Sequence, residues 1–117
     1  MAMQEKYTTG VDNLFAANQT MPVVTDVIKV PSGENAMKRG TLVASTGKAV
    51  TAAADVYGVL AEDVDATKAS VATVVYLTGE FNEKAMAVGT PTTGTLSVSD
   101  CKTSARKIGI FIKSNQE

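Results

Sequence analysis

The chain has 117 residues, 44% of them hydrophobic, with 11 basic and 12 acidic side chains and a formal net charge of -1. That length suits one domain with one small core, and the slightly acidic balance excludes the basic surface by which proteins wrap nucleic acid. A lone cysteine, Cys101, rules out an intrachain disulfide framework, and no run approaches the ~20 apolar residues of a membrane span.

The first residues, Met1-Ala2-Met3-Gln4-Glu5-Lys6-Tyr7, carry no apolar signal core, so synthesis in a cytosol is expected. Residues 1–26 are rich in Thr, Asn and Gln, with apolar residues scattered at Val11, Leu14, Phe15, Met21, Val23 and Val24. They follow neither a helical nor an alternating period. Leu14 and Phe15 are too apolar for a linker, and Met21-Pro22 suits an extended segment outside a central strand. The expectation is an extended N-terminal arm over 1–26 that orders against a partner, followed by a β-rich domain over 27–117.

From Val27 the pattern becomes strands and turns. Val27-Ile28-Lys29-Val30 is β-branched and stops at Pro31-Ser32-Gly33. Thr41 to Ala44 leads into a Ser45-Thr46-Gly47-Lys48 turn and then Ala49-Val50-Thr51, a hairpin. Val56 to Ala61 and Ala72 to Thr78 are further strands, the second the longest and most β-prone. A short helix is expected over Glu83 to Val88 with Gly89 as its C-cap. A second is expected from Ser99 as N-cap to Lys107, its charges ordered to suit the helix dipole. Ile108 to Lys113 closes the chain as a strand with Ile108, Ile110 and Ile112 on one face. The fold class is mainly β with one or two short helices: a small barrel-like or sandwich-like body. With aromatics at 5% and Trp absent, the core rests on small aliphatic side chains, and such a domain gains from burying more surface in an oligomer.

Reactive chemistry is sparse. Histidine is absent, which removes the commonest general base and neutral metal ligand. Cys101 reads as an incidental free thiol. Asp55, Glu62, Asp63 and Asp65 lack the glycine and the later bidentate acid of a calcium loop, and read as a solvated connection. Glu80 follows a strand end and Glu83 opens a helix, with no sign of a sugar-binding groove, so they do not read as a glycosidase pair. Gly40 to Gly47-Lys48 has six intervening residues where a phosphate loop has four. No catalytic, metal or cofactor residue is assigned, and an enzyme is not expected.

Five segments, taken in order, resemble the head decoration proteins of tailed phages, the lambda head decoration protein D family. They are Leu14-Phe15-Ala16 with Pro22 to Asp26, Lys38-Arg39-Gly40-Thr41, Gly58 to Thr67, Val75 to Asn82, and Ile108-Gly109-Ile110. The resemblance implies a homotrimer on the outer surface of the virion, at three-fold positions of an expanded head. There it would brace the shell against packaged DNA. Its partners would be the major capsid protein and its own copies, with no direct contact to nucleic acid or membrane. Leu14, Phe15, Val23 and Val24 are the expected capsid-binding residues of the arm, which would attach by adding a strand to its partner. The alternative is a non-catalytic β-barrel binding module, or a tail or adaptor protein of a phage or prophage.

Overall fold

In the computed structural model, which describes residues 14–15 and 23–113, a four-stranded antiparallel sheet organises the chain. Its strands are β1 (Thr25–Val30), β2 (Leu42–Val43), β3 (Gly58–Leu60) and β4 (Val71–Tyr76), in the order β1-β4-β3-β2. The long pair β1 and β4 runs in continuous register from Thr25 opposite Tyr76 to Val30 opposite Val71. Both are rich in Val, Ile and Thr, whose branched side chains pack well on a pleated surface.

Alternation along these strands sends neighbours to opposite faces, so the register assigns each residue to a core. One row crosses the sheet as Leu42, Val59, Tyr76 and Thr25. Leu42 and Val59 on that face are fully buried with Val50, Phe81, Cys101 and Ile110. The next row places Leu60, Val75 and Asp26 on the other face. There Leu60 and Val75 pack with Val30, Val43, Met37, Val64 and Ala66. Layers on both faces explain why β2 and β3 read as continuous apolar runs without alternation.

A second sheet pairs β5 (Gly79–Asn82) with β6 (Ile110–Lys113) in parallel, from Gly79 opposite Ile110 to Asn82 opposite Lys113. Parallel strands need a long crossover. Here it includes two 3₁₀ turns, Glu83–Ala85 and Ser99–Cys101, and the five-residue helix α1 (Lys102–Arg106).

The expected helix over Glu83 to Val88 is corrected to a single 3₁₀ turn. Beyond it Met86 is extended, and Ala87 exchanges backbone hydrogen bonds with the Gly40–Leu42 stretch, donating to Gly40 O and accepting from Leu42 N–H. Gly89 is not a helix cap: its N–H donates to Val50 O at 2.7 Å. The second helix is present but shorter and differently capped. Ser97, not Ser99, forms the reciprocal pair with Asp100: Ser97 N–H donates to Asp100 Oδ2 at 2.9 Å, and Asp100 N–H donates to Ser97 Oγ at 3.3 Å. The last strand starts at Ile110, with Ile108 left 42% exposed in the preceding turn.

The Ser45-Thr46-Gly47 turn folds back over the end of β1. A Cβ on Gly47, whose φ is +88°, would stand 2.3 Å from Lys29 O, so only glycine fits that approach. The turn thereby covers the outer edge of β1 at Lys29.

Candidate functional site

The chain enters the body at two places that lie beside one strand. At the first, Leu14 and Phe15 run along β5. Phe15 forms an antiparallel bridge with Phe81, and Asn82 N–H donates to Leu14 O at 2.7 Å. Leu14 is 2% exposed within the core that holds Leu42 and Phe81. Phe15 meets Tyr76 edge-on at 5.1 Å and stacks on Phe81 at 5.4 Å between centroids.

At the second entry, Val23 and Val24 lead into β1. Val24 O accepts from Leu77 N–H at 2.6 Å, and Val24 N–H donates to Thr78 Oγ1 at 3.1 Å, so Val24 extends the ladder by one pair. Val23 Cγ2 stands beside Gly79, 3.5 Å from the point a Cβ there would occupy. Phe15 and Val23 thus both border β5, which brings the two halves of the expected site together.

The four expected residues divide by exposure. Leu14 is turned inward and Phe15 is half-buried, whereas Val23 and Val24 are exposed. Val27, 63% exposed, extends the outward apolar strip and was missed from the sequence because it reads as an ordinary strand residue. Its signal is the lone exposed valine in a strand otherwise carrying Thr25, Asp26 and Lys29 around Ile28 and Val30.

β1 also lies at the sheet edge. Antiparallel partners alternate between exchanging both hydrogen bonds and exchanging none. Because Val24 bonds to Leu77, the partners of β4 are Asp26, Ile28 and Val30, while Thr25, Val27 and Lys29 turn their backbone groups outward. Lys29 lies beneath the Gly47 turn. Among the described residues no hydrogen bond reaches the outward groups of Thr25 and Val27. An edge of this kind can take an added strand.

Polar contacts hold the site in place. Tyr57 OH donates to Asp26 Oδ2 at 2.8 Å, tying β1 to the turn before β3, and this bond, then burial, then the Asp26 charge raise the phenol above its ordinary pKa. Arg39 is a hub: its N–H donates to Asp63 Oδ1 at 2.7 Å, Nε to Ala61 O at 3.0 Å and Nη2 to Tyr76 OH at 3.4 Å. On the far side, Glu80, 5% exposed, is ion-paired with Lys113 across the parallel sheet.

The acids between β3 and β4 serve local bonds. Glu62 accepts from Thr73 Oγ1, and Asp65 accepts both the hydroxyl and the N–H of Thr67, bonds that hold its carboxyl below its usual range. Among the described residues no three His, Cys, Asp or Glu side chains are grouped to hold a metal ion. Burial, and then the neighbouring Asp100, push the Cys101 thiol up, away from the reactive thiolate. No helix among the described residues is long and apolar enough to cross a membrane.

The arm expected over 1–26 lies outside the described residues except for Leu14, Phe15 and 23–26. The family model for bacteriophage lambda head decoration protein D matches residues 4–108, most of the chain. No curated protein matches it. The chain belongs to the lambda head decoration protein D family, a family of structural phage capsid proteins.

Proposed function

From membership of that family we propose that the protein binds the outside of the expanded phage head as homotrimers at three-fold positions and stabilises the shell against packaged DNA. Its partners are the major capsid protein and its own copies, and its place is the outer virion surface. The N-terminal segment attaches it, with Val23, Val24 and Val27 facing the capsid and Leu14 and Phe15 forming the base of the arm.

The observation that carries this reading is the exposed Val27 on edge strand β1, with exposed Val23 and Val24 leading into it, in a chain whose family is that of phage head decoration. Fully burying one such side chain is worth about 1.5–3 kcal/mol, and these three are already partly covered, so each brings roughly half of that. Ordering an arm costs about 1–2 kcal/mol per residue in backbone entropy. One subunit therefore holds weakly, and attachment needs added strand hydrogen bonds and several arms at once.

The test is to add purified protein to expanded and unexpanded heads and image both by cryo-microscopy. Density at the three-fold positions of expanded heads alone is expected. Equal binding to both forms, or density elsewhere, overturns the reading. Val27→Lys tests the exposed valine: the free protein keeps its unfolding free energy within about 0.5 kcal/mol, while head occupancy falls at least tenfold.

A further inference from the structure

We propose that the outer edge of β5 is a strand-acceptor site occupied in cis by Leu14 and Phe15, a latch that anchors the N-terminal segment to the body at Leu14, and that Arg39 is the residue that positions it. The capsid-facing role of the residues ahead of this anchor rests on the function proposed above; the latch does not.

Three independent features build the acceptor. The first is backbone pairing: the isolated Phe15–Phe81 bridge and the Asn82 N–H bond to Leu14 O pair the segment with β5 of the two-stranded sheet. The second is a seat for Leu14. A Cβ on Gly40, whose φ is +99°, would stand 2.3 Å from Ala85 O and 3.2 Å from Leu14 Cδ1, so the bare glycine backbone leaves room for the leucine. The third is a cage for Phe15. Tyr76 and Phe81 contact the ring, and the Arg39 guanidinium carbon lies 5.8 Å from its centroid.

Arg39 does not reach Phe15 by chance. Its planar fork is fixed by Ala61 O and Tyr76 OH, and its own backbone by Asp63. The fixed guanidinium closes the aromatic cage, which a lysine's single ammonium would do less well. The Lys38-Arg39-Gly40 motif thus acquires a role beyond the turn into β2: Arg39 holds Phe15 and Gly40 admits Leu14. In consequence the stretch ahead of the anchor is residues 1–13, half the length of the 1–26 arm.

Amide hydrogen exchange on the full-length free protein tests this. Asn82 N–H, bonded to Leu14 O, is expected to be protected, and Phe15→Ala to speed its exchange at least tenfold while the amides of the β1–β4 ladder change little. Arg39→Ala is expected to act in the same direction, and Arg39→Lys to restore part of the protection. Unprotected Asn82 in the parent protein overturns the latch. So does an equal acceleration of Asn82 and the β1–β4 amides in both Phe15→Ala and the milder Phe15→Leu, since that reports only global loss of stability. Head binding is read separately on the same variants, so a failure of the capsid reading leaves the exchange result standing.

Discussion

At the scale of single residues, backbone approach and one phenol carry the sharpest expectations. Gly47 and Gly33 both have positive φ, +88° and +92°, but only Gly47 faces a carbonyl oxygen where a Cβ would go; around Gly33 there is nothing within 4 Å. Gly33→Ala is therefore expected to cost only the left-handed strain, about 1–2 kcal/mol. Gly47→Ala must in addition push the turn off β1, and is expected to cost more than Gly33→Ala in urea unfolding. Tyr57 gives a pH dependence. Its folded pKa is raised, first by its bond to Asp26, so the folded state keeps the phenol proton longer than the unfolded chain does. The stabilising contribution is fully present below the ordinary tyrosine pKa of about 10 and is lost as pH rises through the folded value. The difference in unfolding free energy between the parent and Tyr57→Phe is expected to be constant near neutrality and to shrink in the alkaline range. A difference that does not change with pH would show that the phenol proton is not linked to folding.

At the scale of elements, the start of α1 separates two cap assignments. Ser97 and Asp100 satisfy each other's N–H groups, whereas Ser99 contributes its carbonyl, accepting from Lys102 N–H. Ser97→Ala is expected to lower stability by about 1 kcal/mol, as loss of an N-cap does, and Ser99→Ala to leave the denaturant midpoint nearly unchanged. The reverse order would restore the cap inferred from the sequence. That misplacement has a physical cause: both serines precede an acid, and the 3₁₀ turn that shifts the frame leaves no mark in composition. β1 and β4 were legible because β-branched runs led into proline or glycine turns, and β3 because it lies inside the apolar run from Val56 to Ala61. Glu83 to Val88 misled because its helix-favouring residues were overridden by tertiary pairing of Ala87 with the Gly40–Leu42 stretch. The parallel union of β5 with β6 spans a crossover and has no local signature. Of the site, the apolar character of Leu14, Phe15, Val23 and Val24 was visible. Their division into inward and outward pairs was not, because it depends on the distant Gly40, Tyr76 and Phe81.

At the scale of the whole molecule, attachment by several weak arms has a consequence that one strong contact lacks. In the proposed homotrimer, the first arm to dock holds the other two near their sites at roughly millimolar effective concentration, and avidity rises by ~10²–10⁴ without any new contact. Removing one competent surface therefore costs far more than a third of the binding. Co-expression of the parent chain with Val27→Lys separates the cases, since the outward strip is altered while the buried cores are untouched. With equal amounts of the two chains assembling at random, about one trimer in eight carries three parent subunits, and only these retain the full gain of linked arms. Head occupancy at limiting protein is then expected to fall well below half. Independent subunits would instead give occupancy proportional to the parent fraction, close to half at the same mixture. Measured across several mixing ratios, a linear decline would count against linked arms, while a curve bending steeply downward as the variant is first added would support them. The shape of that curve does not depend on knowing the affinity of any single arm.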